Sequence, residues 1–200
     1  MNRIVKWLAV LAFSLFVPPL AAFEILALGT SNTNCLGVER EQSFTVHLQS
    51  LLRAEGHAAT VVNGGVDGDK PFWMIGRMNA LINENTRLVI FEPGPNDRNK
   101  SSNVDYSERI LAELQRRKIP AIYVSHPWIQ NLEEARNSAQ RYGAYYYGHW
   151  TLGVPVDRVH RQYDTGDGPG HMTGAGCMLW AKSMVGLVQK VINDSDARNP

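Results

Sequence analysis

The sequence predicts an α/β domain: a parallel sheet of about five strands with helices on both faces. Three observations predict it. Apolar strand-like runs alternate with amphipathic helical runs along the chain. The strand runs are apolar without interruption, as a sheet covered on both faces requires. Short segments rich in Gly, Asn and Asp sit just past those runs or just before a helix. An open α/β sheet gathers its site residues there, at the carboxyl ends of its strands.

Residues 24–28 (Glu-Ile-Leu-Ala-Leu) read as the first strand, closed by Gly29. A helix over 41–55 places Phe44, Leu48, Leu51 and Leu52 on one face, and Gly56 stops it. Residues 59–62 give a second strand that ends at Asn63-Gly64-Gly65. A helix over 71–83 carries Ile75, Met78, Leu81 and Ile82, and 87–91 is a third strand. A helix over 106–117 has Ile110, Leu111 and Leu114 at helical spacing, and 119–124 is a fourth strand. A helix over 132–142 ends at Gly143, and 144–147 is a short fifth strand. After an irregular stretch over 148–170, the last helix covers 174–192, with Met178, Leu179, Met184, Leu187 and Val188 on its apolar side. A long loop inside a compact domain is uncommon unless it has work to do.

The chain of 200 residues opens on a targeting pattern. Arg3 and Lys6 form a basic region, Trp7 to Val17 is apolar, and Pro18-Pro19-Leu20-Ala21-Ala22 closes it. The apolar core is shorter than the roughly 20 residues of a spanning helix. The reading is a cleaved secretory signal over 1–22, followed by one domain over 23–194 and a frayed tail over 195–200. An uncleaved anchor is the alternative, because Leu20 is not ideal at its position. The chain is therefore expected to be exported, periplasmic or secreted, with no stable membrane insertion after cleavage. Losing Arg3 and Lys6 takes the net charge from +1 to −1, and no basic face marks a nucleic-acid partner. Two cysteines are present, Cys35 and Cys177. If Ser31 and His171 meet, the sulfurs come near each other, and a disulfide could clamp that end. The other reading is two small buried apolar residues.

Four segments carry chemistry: Gly29-Thr30-Ser31, Gly68, Gly94-Pro95-Asn96-Asp97, and Asp167 with His171. Together they offer a hydroxyl nucleophile, a base, a carboxylate to orient it, and three donors for an oxyanion. Those are the parts of an acyl-transfer site. Ser31 follows a strand and a glycine, where serine is also a common cap. His171, among six histidines, follows a glycine-rich loop and precedes a helix, with Asp167 four residues back and Asp164 as the alternative partner. Gly68 can bring its N–H close to substrate because no Cβ intervenes. The Asn96 amide donates without titrating. Each of these is also ordinary turn chemistry; it is their joint order at the strand ends that points to a site. His160, Asp164 and His171 match no strong metal-ligand pattern.

These blocks resemble the SGNH family of hydrolases, also called GDSL esterases and lipases, from about Ile25 to Val191. Gly29-Thr30-Ser31 is similar to the first family block, with Thr30 in place of its aspartate. Gly68, within Asn63-Gly-Gly-Val-Asp-Gly-Asp69, matches the second, and Gly94-Pro95-Asn96-Asp97 matches the third in full. Asp167-Gly-Pro-Gly-His171 matches the last block with one residue more between Asp and His. The resemblance implies a flavodoxin-like three-layer fold and hydrolysis through an acyl-serine. It makes Ser31 the nucleophile, His171 the base and Asp167 the third triad member, with Asp164 in reserve. Ser31 N–H, Gly68 N–H and the Asn96 amide form its oxyanion hole, and no metal or organic cofactor is implied.

The substrate expected is a small-molecule, lipid or acylated-glycan ester, or a thioester, with a short acyl group. Trp73 and Trp128 lie at the right end of the sheet to line its pocket; Trp150 and Tyr145 to Tyr147 are further candidates. Two other readings stand beside the esterase. One is an acyltransferase using the same acyl-serine. The other is a non-catalytic envelope or glycan-binding relative, favoured by Thr30 and the stretched Asp–His spacing. The sequence is silent on oligomeric state.

Overall fold

The computed structural model describes residues 22–164 and 169–198. Residues 1–21 of the expected signal over 1–22, Asp167, and the last two residues of the tail lie outside the described residues.

In chain order the elements are β1 (Phe23–Gly29), α1 (Ser31–Asn34), a 3₁₀ turn (Arg40–Gln42), α2 (Phe44–Ala54), β2 (Ala59–Gly65), α3 (Pro71–Leu81), β3 (Thr86–Phe91), α4 (Lys100–Arg116), β4 (Ala121–Ser125), α5 (Leu132–Arg141), β5 (Tyr145–His149) and α6 (Gly174–Asp196). The five strands form one sheet in the order β2-β1-β3-β4-β5, and every neighbouring pair is parallel. The expected three-layer α/β fold is borne out.

The side-chain alternation of each strand feeds two cores. Ile25 and Ala27 of β1, with Leu88, Ile90, Ile122 and Val124, meet Phe44, Leu48, Trp180, Met184 and Val188 from α2 and α6. Leu26 and Leu28, with Val89, Phe91 and Tyr123, meet Met74 and Met78 of α3, Ile110 and Leu114 of α4, and Ala135 and Ala139 of α5. Both faces are buried, which is why the strands read as unbroken apolar runs.

The chain order reverses between β1 and β3, so the crevice of the sheet opens above their carboxyl ends. The loops after β2, β1 and β3 stand side by side there. Elements near this edge depart most from the sequence reading. The four-residue α1 carries too few residues for any periodicity to show. The β2 strand runs on through Asn63-Gly64-Gly65. The α4 helix starts at Lys100, capped by Asn99, whose side chain accepts from Ser102 N–H at 3.2 Å. Its first turn is polar, so its apolar face shows only from Ile110 onward. The far end of α6 runs past Ile192 to Asp196. Among the described residues no helix is long and apolar enough to cross a membrane.

Candidate active site

The chain leaves β1 at Gly29 and turns at once into α1. Thr30 is the extended N-cap residue, its hydroxyl accepting from Asn32 N–H at 3.4 Å. Ser31 is the first helical residue and is mostly buried. Cys35 ends the helix in the left-handed conformation, at φ 55°. The turn is packed against the loop after β3. Gly94, at φ +62°, lies so close to Thr30 that a Cβ there would collide with its side chain. Asn103 of α4, fully buried, donates to Gly94 C=O at 2.9 Å and holds that loop down.

The structure brings Ser31 and His171 together across 140 residues of chain. Ser31 Oγ lies 2.9 Å from His171 Nε2. The other ring nitrogen, Nδ1, is 2.5 Å from Asp164 Oδ2, and the His171 N–H donates to Asp164 Oδ1 at 3.1 Å. The carboxylate facing the imidazole is therefore Asp164, the reserve partner. A carboxylate at Nδ1 keeps the proton there and leaves Nε2 free to accept from the serine hydroxyl. Partial burial pushes the Asp164 carboxyl up, but the hydrogen bonds and charge of His171 outweigh it and hold Asp164 below the ordinary carboxylate value.

The loop between β5 and α6 is fixed by its own contacts. Arg161 and Met172 form an antiparallel bridge. Gln162 N–H donates to His171 C=O at 2.7 Å, and Gly170 N–H to Gln162 C=O at 2.8 Å. The Gln162 side-chain amide donates to Leu36 C=O at 2.6 Å, so the loop that carries His171 touches the segment just after the Ser31 turn. Buried Arg161 donates through Nε to Gly170 C=O at 3.0 Å and lies over the Trp150 ring at 4.5 Å. A disulfide joins Cys35, at the end of α1, to Cys177, in the first turn of α6. This is the clamp that the cysteine positions allowed.

The three expected donors occupy adjacent loops. Ser31 N–H heads α1, and the first N–H groups of a helix have no partner within it. Gly68 sits at φ +74° with open space where a side chain would be. Asn96 donates one amide hydrogen to Asp69 C=O at 3.0 Å, which ties its loop to the Gly68 loop. A primary amide has a second hydrogen to offer an oxyanion. Asp69 is in turn gripped by Arg77 of α3 at 2.7 Å, and the same guanidinium donates to Gly64 C=O at 2.7 Å and Gly29 C=O at 3.0 Å.

The sequence reading missed Glu92, Arg77, Asn103, Arg161 and Gln162. Glu92 alone left a signal, an acidic residue closing the apolar run of β3. Of the aromatic candidates, Trp73 and Trp128 are exposed, at 53% and 68%. Trp73 lies beneath Lys70 Nζ at 5.2 Å and Trp128 stands edge-on to His126 at 5.4 Å. Trp150 is buried against His126 and Arg161. Tyr145 and Tyr147 spend their hydroxyls on Asp194 and on Ser183 with Leu152 C=O. His160 pairs with Asp157 at 2.8 Å. Among the described residues no group of three or more His, Cys, Asp or Glu side chains is placed to hold a metal.

A serine, a histidine and a carboxylate thus stand in one hydrogen-bonded line at the switch point of a doubly wound sheet. Comparison with known proteins places this fold. No family model matches the chain. The esterase TesA of Pseudomonas aeruginosa is 35% identical over 88 residues, which cover 44% of this chain and 44% of TesA. The match thus spans less than half the length of that relative. The structure of the esterase EstA from Pseudoalteromonas, inhibited by monoethylphosphonate, superposes with a TM-score of 0.72 at 17% identity, covering 85% of this chain and 98% of EstA. AlinE4, an SGNH-hydrolase family esterase, superposes with a TM-score of 0.58 at 23% identity, covering 90% and 98%. The chain has the fold of the SGNH hydrolases, and the resemblance read from its sequence blocks is borne out.

Proposed function

We propose that this chain is a serine carboxylic ester hydrolase of the SGNH type, with Ser31 as nucleophile, His171 as base and Asp164 as the orienting carboxylate. The observation that carries the reading is the unbroken line from Ser31 Oγ through His171 to Asp164, at 2.9 and 2.5 Å. A serine hydroxyl is too weak an acid to attack unaided at neutral pH, and the imidazole removes that obstacle. As Oγ attacks the acyl carbonyl, its proton passes to Nε2. Asp164 stabilises the imidazolium that forms. Charge collecting on the carbonyl oxygen is met by Ser31 N–H, Gly68 N–H and the Asn96 amide. Collapse expels the alcohol, which takes the proton from Nε2. Water, activated by the same imidazole, then releases the acid and restores Ser31. No step needs a cofactor.

The substrate class is a small ester, an acylated glycan or a lipid ester with a short acyl group. Exposed Trp73, at the start of α3, and Trp128, after β4, follow the carboxyl ends of their strands and are available as flat apolar walls for such a substrate. Rates that fall steeply with acyl length support this; a preference for long chains contradicts it. The chain is read as exported, and the disulfide fits an oxidising compartment. Amino-terminal sequencing of the protein from its host tests cleavage near Phe23.

The function itself is tested with a fluorophosphonate, locating the label by mass spectrometry. Label on Ser31 that is absent from Ser31→Ala supports the hydrolase. An unlabelled, folded protein points instead to a binding-only relative.

A further inference from the structure

We infer that Glu92 is a positioning residue for the nucleophile, a buried carboxylate that holds the Ser31 turn from beneath. The inference rests on the esterase reading of the site. Glu92 directly follows β3 and is 1% exposed. Its Oε2 accepts from Thr30 N–H at 3.1 Å, the Thr30 hydroxyl at 2.8 Å and the Thr33 hydroxyl at 3.2 Å. Its Oε1 accepts from the Asn32 amide at 3.2 Å. The backbone joins the same clamp, with Glu92 N–H donating to Leu28 C=O at 2.9 Å. The four donors belong to residues 30, 32 and 33, which bracket Ser31 on both sides.

The turn needs such a clamp. A helix of four residues is below the length at which helical hydrogen bonding sustains itself, and α1 has only that length. Yet Ser31 must present Oγ to His171 and its N–H to the developing oxyanion at the same time. Hydrogen bonds to an ionised acceptor are shorter and about twice as strong as neutral ones. Among the described residues Glu92 is the one carboxylate bonded to residues 30–33, and its four side-chain bonds come from neutral groups. A buried carboxylate is expensive to keep without a cation. Its presence beneath the nucleophile points to a requirement for a strong, fixed acceptor there.

The test uses Glu92→Gln, which keeps the shape and removes the charge. Reversal of the Asn32 amide can satisfy the new NH₂ group, so the fold has a route to survive. Displacing a reacting atom by about 1 Å can cost on the order of 100-fold. The expected result is a fall in kcat and in the rate of phosphonate labelling of at least about 10-fold, with KM within about twofold. Glu92→Asp, which retains the charge one methylene short, is expected to recover part of the loss. A purely structural role would lower the melting temperature and leave kcat per folded molecule unchanged, and that result overturns the inference. Should Glu92→Gln fail to fold, Thr30→Val removes the shortest of the four bonds. A kcat reduced about threefold at unchanged KM supports the inference, and an unaltered kcat overturns it. A parent protein that neither labels nor turns over esters overturns the esterase reading and this inference together. A parent that labels, beside a Glu92→Gln variant that labels equally fast, overturns this inference alone.

Discussion

Ser31 and His171 meet at 2.9 Å but are held there by opposite means. The serine is fixed from within the sheet. It sits one residue past Thr30, on a turn gripped by Glu92 and packed against Gly94, and every element involved is a neighbour of β1 or β3. The histidine arrives at the end of a long loop between β5 and α6, the edge strand and the last helix. Its position is secured by a tie within the loop, Arg161 to Gly170, and by two ties to the segment around Cys35, Gln162 to Leu36 and the Cys35–Cys177 disulfide with a sequence separation of 142. Buried Glu92 holds the Ser31 turn, and buried Arg161 braces the His171 loop. The Ser31 side, which carries the proposed nucleophile, is therefore expected to be the more rigid half of the site, and the His171 side, which carries the proposed base, the less rigid. The base side is the half that sequence change, reduction or acid should disturb first.

The largest effects fall on the reacting groups and separate the two halves least. Ser31→Ala or His171→Ala is expected to lower kcat by at least about 10⁴-fold, measured on a short-chain aryl ester. On the base side, Asp164→Asn is expected to cost between about 10² and 10⁴ in kcat. Asp167→Asn should stay within about threefold, because the carboxylate at Nδ1 is Asp164. The reverse ranking would show that the base loop rearranges in solution. On the nucleophile side, Asn96→Ala should lower kcat by about 10²-fold, with little change in KM.

Smaller effects sharpen the contrast. Cys177→Ser removes the tie between α1 and α6 and is expected to cost roughly 2–5 kcal/mol of stability, read from denaturant unfolding. If the base side is the weaker half, activity should fade at lower denaturant than the global transition. His126 tests the same side by pH. Burial first, then the charges of His149 and Arg161, hold its pKa down at about 4 against an ordinary 6.5. The folded protein resists a proton that the unfolded chain accepts, so stability is full above about pH 6.5 and is lost as pH falls toward about 4. The loss should be on the order of 2–3 kcal/mol. His126→Phe, which preserves a ring beside Trp150, should flatten that pH dependence.

The same contrast governs what could be read from the sequence. The nucleophile half was legible because its geometry is local. An apolar strand ending in Gly29-Thr30-Ser31, and the block Gly94-Pro95-Asn96-Asp97, announce their place by their neighbours in the chain. The base half was legible only in part. His171 could be singled out by the glycines before it and the helix after it. The choice between Asp164 and Asp167 depended on how an irregular loop folds back, through an Arg161–Met172 bridge that no periodicity encodes. Glu92 was hidden for a different reason. Its importance lies in burial and in donors about 60 residues away in sequence, although a carboxylate closing the run Arg87-Leu-Val-Ile-Phe91 was a visible anomaly. The start of α4 was hidden by a polar first turn, in which Asn103 points inward to hold Gly94 rather than to pack a core.

The proposed chemistry requires one serine, one imidazole and three donors to converge on a single acyl group. The most direct measurement is a crystal structure of the protein after reaction with a small phosphonate ester. The expected result is phosphorus bonded to Ser31 Oγ, with one phosphonyl oxygen about 3 Å from Ser31 N, Gly68 N and Asn96 Nδ2, and His171 still hydrogen-bonded to Asp164. Phosphorus on another residue, or a phosphonyl oxygen turned to solvent with Gly68 and Asn96 out of reach, would contradict it.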